Sequence, residues 1–144
     1  MASPAYMTIQ DDKGNVIKAN VEIAGRKGTA EVHAFDYAVS IPSDPNSGLL
    51  TAVRKHGDVL VTKNFDQASP LLFQACAEGS TLKSVDLDWY RINASGEEEK
   101  YFKHSLIDVK VVKVQHKMLQ VKNPANDQLG HIEAVSFRFR RIEL

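Results

Sequence analysis

The side chains that could perform catalysis or bind a metal are few and scattered along this sequence. Its five histidines are isolated from one another, so the closely spaced pairs typical of metal sites are absent from the sequence. The single cysteine, Cys76, lies on the apolar stripe of a predicted helix, where a buried and unreactive thiol is expected. The eight glycines are dispersed and form no phosphate-binding loop. We therefore predict no catalytic residues, no metal site and no cofactor, and hence a protein that is not an enzyme.

Length and composition fit one ordinary globular domain. The chain has 144 residues, of which 43% are hydrophobic and 25% are charged, and 18 Lys and Arg residues balance 18 Asp and Glu residues. Zero net charge argues against a dedicated nucleic-acid binder and reduces repulsion between copies of the chain. The first residues do not resemble a signal peptide, and no apolar run is long enough for a membrane-spanning helix. We expect a single domain over residues 1–144, with no additional C-terminal domain, that is cytoplasmic when made.

The hydrophobic pattern repeats every two residues, which is typical of β-strands. The segments with this alternation include 33–41, 59–62, 85–89 and 135–139. The alternation slips at Val111-Val112, which predicts a bulge or a bend, and the turn sequences at 12–15 and 93–96 favour hairpins. We predict a mainly β fold in which two β-sheets close into a barrel. The candidate core residues are Phe35, Leu72, Leu87, Trp89 and Phe137.

One short helix interrupts the strand pattern. Ser69 is a favourable N-cap residue, and Pro70 suits the first helical position because its missing N–H has no partner there. Gly79 suits the left-handed conformation that ends many helices. The sequence therefore predicts a flanking α-helix over about Ser69–Glu78 that packs on the sheets.

The segment from Pro42 to Gly57 reads as a long extended loop. It begins with turn-forming residues, continues with apolar ones and ends in a basic run. Long loops in compact domains are usually functional or disordered, and the apolar residues argue against disorder. Two interpretations stay open: the loop packs on its own barrel, or it reaches out and docks on another subunit.

Several short motifs occur together between Tyr6 and Ile142. They are Phe35-Asp36, Pro42-Ser43-Asp44-Pro45, Lys63 with Phe65-Asp66, Ser69-Pro70-Leu71-Leu72 and Trp89-Tyr90-Arg91. In this combination they resemble the haemolysin-coregulated protein (Hcp) family, the tube subunits of type VI secretion systems.

The resemblance implies a homohexameric ring with a wide lumen, and rings that stack into a tube. It implies as partners the trimeric spike, the contractile sheath, the baseplate and secreted effectors that the lumen carries or chaperones. It implies export through the type VI system without a signal peptide, and we expect no nucleic acid and no direct membrane insertion. Because the extended loop contacts neighbouring subunits in this family, the loop supplies the candidate interface residues. They are Pro42, Asp44, Pro45, Leu49, Leu50, Val53 and Arg54.

Two other functions stay open on the sequence. The first is a tail-tube protein of a related contractile or phage-like machine. The second is a monomeric β-barrel that binds a small ligand, which would need an apolar pocket in place of a filled core. Bulky residues on the predicted inner faces favour a filled core instead.

Overall fold

The computed structural model describes residues 4–22, 25–50, 53–118, 120, 122–124 and 130–144. These residues form ten strands and one helix, which confirms the mainly β class with a single short helix. The elements are β1 (Ala5–Gln10), β2 (Val16–Ile17), β3 (Ala30–Val32), β4 (Ala34–Asp36), β5 (Val39–Ser40), β6 (Lys55–His56), β7 (Val59–Asn64), α1 (Ser69–Glu78), β8 (Thr81–Ile92), β9 (Glu98–Met118) and β10 (His131–Glu143).

One large antiparallel sheet contains eight of these strands. Its order is β2-β1-β8-β9-β10-β7-β4, with β3 paired to β1, while β5 and β6 form a separate two-stranded sheet. The predicted pair of sheets that close into a barrel is wrong: within the described residues, hydrogen bonds do not close the sheet. Among the described strands, β3 pairs with β1 and β4 pairs with β7, so no ladder joins the two ends of the sheet. The chain changes partner at His33, whose backbone N–H donates to the Thr62 carbonyl at 2.8 Å.

The hydrophobic core consists mainly of inward-facing residues of the large sheet, together with Leu72 and Ala75 of α1. Leu72, Leu87 and Phe137 are fully buried in it. Phe35 and Trp89 are half-buried and pack against the margin of the core, with ring centroids 4.9 Å apart and an edge-to-face geometry. Placing these two residues in the core itself therefore needs correction, because the Trp89 indole N–H bonds to His104 at that margin.

The helix and the bulge follow the sequence signals. α1 has the predicted bounds, although Ala68 rather than Ser69 is the N-cap residue, and Gly79 ends the helix in the left-handed region with φ of 68°. In the ladder between β9 and β10, Ser136 pairs with Lys113 and Phe137 pairs with Val111. Val112 is the extra residue, which confirms the bulge predicted from the slip in alternation.

Candidate assembly interface

The segment predicted as an extended loop is a hairpin, here called the arm (residues 39–56). At its base Val39 pairs with His56 and Ser40 with Lys55, and a further bridge joins Ser43 to Leu50. Residues 51–52 of the predicted loop lie outside the described residues. Paired backbone groups on both sides make the arm a defined structural element.

The end of the arm is ordered by Asp44. Its backbone N–H donates to the Leu49 carbonyl at 2.7 Å, and its own carbonyl accepts from the Gly48 N–H at 2.8 Å. The Asn46 N–H donates to Asp44 Oδ1 at 2.8 Å, and this bond lowers the pKa of the Asp44 carboxyl. Gly48 has a φ of 72°, which suits glycine at this turn. The two prolines of the predicted interface, Pro42 and Pro45, flank Asp44 and are exposed.

The apolar side chains of the arm face solvent. Leu49, Leu50 and Val53 are 69%, 67% and 83% exposed, so these three residues do not pack back onto their own subunit. Single exposed apolar residues are common on protein surfaces, whereas three within one hairpin form an exposed apolar patch. Arg54 follows them and is exposed, with its Nε donating to His56 Nε2 at 3.2 Å.

An aromatic cluster holds the base of the arm. The Phe139 ring lies edge-on to both Tyr37 and His56, with centroids 5.7 and 5.5 Å away. Because Arg54 can only donate, His56 Nε2 must accept, so in the neutral imidazole Nδ1 carries the hydrogen. His56 Nδ1 then donates to the Tyr37 hydroxyl at 2.6 Å, and burial raises the pKa of that hydroxyl. The cluster fixes the direction in which the arm leaves the sheet.

A buried polar cluster fixes the start of α1 to the sheet. Lys63 and Glu133 are both fully buried, and the Lys63 ammonium contacts Glu133 Oε1. Lys63 Nζ also donates to Asp66 Oδ1 at 2.9 Å, while the Ser69 hydroxyl donates to Glu133 Oε1 at 2.8 Å. Since Ser69 is the first residue of α1, the cluster sets where the helix begins on the sheet.

The sequence contained a signal for this cluster. In β7, Lys63 has the same inward phase as Val59 and Val61, which are buried. In β10, Glu133 shares its phase with Val135 and stands directly opposite Lys63. Opposite charges at inward-facing positions of two neighbouring strands predict a buried ion pair once the register of the strands is known.

The described part of the chain contains no group of three His, Cys, Asp or Glu side chains that could hold a metal ion. No helix among those same residues has both the length and the apolar character to cross a bilayer. Cys76 is half-buried on α1 and forms no disulfide.

Comparison with known proteins identifies the family. Residues 6–144 match the model of the family described as "Type VI secretion system effector, Hcp". The chain is 38% identical over 151 residues to the major exported protein of Pseudomonas aeruginosa strain PAO1, covering 99% of this chain and 88% of that protein.

Solved structures agree with this match. Mutant Hcp1 from the E. coli EAEC 042 pathovar is 40% identical, with a TM-score of 0.87 and coverage of 98% of this chain and 89% of that one. The secreted protein Hcp3 from Pseudomonas aeruginosa is 33% identical, with a TM-score of 0.79 and coverage of 98% and 88%. This chain therefore belongs to the Hcp family, whose members are secreted, structural tube subunits of type VI secretion systems.

Proposed function

We propose that this chain assembles into homohexameric rings with a wide lumen, and that these rings stack to form the inner tube of a type VI secretion system. The observation that carries the proposal is the arm, which presents three exposed apolar side chains on a fixed base. A contact between two different patches closes into a ring when the rotation per subunit allows it, and otherwise extends as a helix. Zero net charge keeps electrostatic repulsion small as copies accumulate.

The partners of such a tube follow from the same proposal. The trimeric spike would cap the tube, the sheath and baseplate would drive and anchor it, and secreted effectors would occupy its lumen. The subunit would be cytoplasmic before assembly and would leave with the tube. It would act by assembly and not by catalysis.

Leu49, Leu50 and Val53 would form the apolar centre of the contact, with Arg54 at its edge. Full burial of a leucine side chain is worth about 1.5–3 kcal/mol. Because Leu49 and Leu50 are still about two-thirds exposed in the single subunit, docking would add about 1–2 kcal/mol for each of them. Pro42, Asp44 and Pro45 would hold the end of the arm in the shape that docks.

The alternative of a monomeric ligand-binding barrel is less well supported. Val85, Leu87 and Leu106 at interior positions are fully buried in one hydrophobic cluster with Phe137. Side chains thus occupy the space that a ligand would need. The match to the Hcp family favours a type VI tube over the tube of another contractile machine.

The test is a double charge substitution in the arm, Leu49→Glu with Leu50→Glu. We expect the variant to lose its rings in negative-stain images and to become monomeric by native mass spectrometry. Its melting temperature as a monomer should stay high, because these side chains are mostly exposed already. The matched control, Leu49→Met with Leu50→Met, should keep the rings. Unchanged rings in the charged variant, or a wild-type chain that stays monomeric at high concentration, would contradict the proposal.

A further inference from the structure

Three neighbouring strands of the large sheet break their inward–outward alternation at the same place. In β9, Leu106 and Val109 are both fully buried, although residues three apart on a regular strand face opposite sides of a sheet. The same spacing separates two buried residues of β8 and two half-buried residues of β10 that pack against the core. These pairs are Leu82 with Val85 and Phe139 with Ile142. Each of the three strands therefore has two successive residues that both lie outside the core.

The register of the ladders aligns these steps across the sheet. The rows of paired residues on either side of the step are Leu82–Val109–Phe139 and Val85–Leu106–Ile142. The residues between the two rows, in β8, β9 and β10 respectively, are Lys83-Ser84, Ile107-Asp108 and Arg140-Arg141. A step that all three strands make together turns the sheet without changing its register. We call these six residues the bend.

Asp108 allows this step in the central strand. Its φ is 54°, and within the described part of the chain it is the one residue other than glycine with a positive φ. An extended backbone at this position would continue the alternation and turn Val109 away from the core. After glycine, Asp and Asn adopt the left-handed region most readily, because their short side chains can form local hydrogen bonds. The residue type therefore suits the conformation that the bend requires.

The bend divides the large sheet into two halves that carry different surfaces. On one side, β8 and β9 continue into the hairpin whose turn is residues 93–96, and β1 pairs with β8. On the other side, β9 and β10 lead to β7, which follows the arm in the chain. Phe139, next to the bend on this second half, contacts the base of the arm. The angle at the bend therefore sets the position of the arm relative to the β8–β9 hairpin.

We propose that Asp108 is a positioning residue for assembly, because its left-handed backbone fixes the angle between the two halves at a value that lets rings close. The inference rests on the proposed function. A head-to-tail contact closes into a ring only when the rotation per subunit divides a full turn. A change of about 10° in each of six subunits would add up to about 60°, the angular share of one subunit, so rings would open or change their size.

Spin labels on the two halves measure the angle directly. Lys55→Cys and Ala94→Cys, both at exposed positions, are combined with Cys76→Ser in the charged arm variant described above, and electron–electron double resonance gives the distance between the labels. Asp108 lies ten residues from Glu98 along β9, so at about 3.3 Å per residue the hairpin extends about 33 Å from the bend. A rotation of about 10° at the bend would therefore displace the hairpin label by about 6 Å.

The substitutions compare residues that do and do not accept this backbone. Asp108→Val introduces a β-branched side chain that disfavours a positive φ, so it should shift or broaden the label distance on the scale of that displacement. In a chain with the native arm it should also abolish uniform rings in negative-stain images. Asp108→Asn and Asp108→Gly should keep both the distance and the rings, because both residues tolerate the left-handed region.

The matched control is Gln115→Val. Gln115 is an exposed residue of β9 that pairs in regular register with Ala134, so the same new side chain should change neither the label distance nor the rings. Asp108→Asn also separates charge from conformation. Loss of rings in that variant would assign the effect to the charge and overturn the role of the backbone.

The remaining outcomes separate this inference from the proposed function. A label distance in Asp108→Val equal to that with the native Asp108 would overturn the role of this residue in the angle. A changed distance with normal rings would overturn its role in assembly and leave the proposed function standing. Wild-type chains that form no rings would overturn the proposed function and with it the positioning role, while the label distances would still report the bend. If Asp108→Val does not fold, Asp108→Ala, which is not β-branched, is compared with Asp108→Gly in the same way.

Discussion

The buried contact between Lys63 and Glu133 allows a quantitative test of how α1 is held on the sheet. Lys63→Met keeps the length of the side chain and removes its charge. The Glu133 carboxylate would then stay fully buried without its cation, and the Asp66 side chain is itself only 8% exposed. Removing one partner of a buried ion pair typically costs about 3–5 kcal/mol, because the remaining charge is uncompensated.

The expected change in melting temperature follows from the length of the chain. The entropy of unfolding is about 2.1 cal/mol/K per residue, so a chain of 144 residues has an unfolding entropy of about 0.3 kcal/mol/K at its melting temperature. A loss of about 3–5 kcal/mol therefore corresponds to a decrease of about 10–17 °C. The measurement is best made in the Leu49→Glu, Leu50→Glu background, because assembly would otherwise add to the apparent stability.

Urea unfolding followed by the fluorescence of Trp89 gives the free energy directly, and the m-value should not change. The control is Arg91→Met, since Arg91 forms a 3.1 Å ion pair with Glu99 in which both side chains are exposed. Such a pair contributes less than about 1 kcal/mol. Lys63→Met combined with Glu133→Leu should recover part of the loss. A cost for Lys63→Met no larger than that of the Arg91 control would refute the reasoning, as would exact additivity in the double variant.

Three further predictions concern the margin of the core and the end of α1. Trp89→Ala should cost roughly 2–3 kcal/mol in urea unfolding, below the ~3–5 kcal/mol of a fully buried tryptophan, and a loss under about 1 kcal/mol would contradict the packing of its ring on Phe35. Burial lowers the pKa of His104 below its usual value of about 6.5, and its Nδ1 accepts the Trp89 indole N–H at 2.7 Å. Folding thus favours neutral His104, so this stability is present above about pH 6.5 and is lost as the pH falls through the folded-state pKa. The urea midpoint of the wild type should decrease more steeply with falling pH than that of His104→Phe, and parallel curves would argue against the linkage. Gly79→Ala should lower stability by about 1 kcal/mol because φ is 68° there, and an unchanged calorimetric midpoint would show that the helix end relaxes.

Local features of this fold were predictable because short stretches of sequence determine them. Pro70 and Gly79 bracket α1, and both act through backbone geometry that needs no distant partner. The bulge at Val112 was visible because one extra residue shifts every later side chain of β9 to the other face. The hairpin turn at 93–96 is closed by a 2.8 Å bond from the Asn93 N–H to the Glu97 carbonyl, as its composition indicated.

Features that depend on distant pairing were not predictable. The alternation through 33–41 suggested one strand, whereas the chain forms β4 and β5 with a break between them, and Ile41 is exposed. Both β4 and β5 pair with strands that are distant in the sequence. The alternation of residue types therefore did not reveal that hydrogen bonds leave the large sheet open within the described residues. The contact between Lys63 and Glu133 depends likewise on a register that joins residues 70 positions apart.

The exposed apolar side chains of the arm are the feature of the single subunit that assembly would cover. The arm exposes Leu49, Leu50 and Val53 to water. This exposure raises the free energy of the isolated chain. Because Tyr37, His56 and Phe139 already fix the base of the arm, docking would order few additional backbone bonds, and less of the contact energy is offset by lost entropy. An apolar surface that is already held in place in the single subunit would therefore bind a second copy at a lower entropic cost.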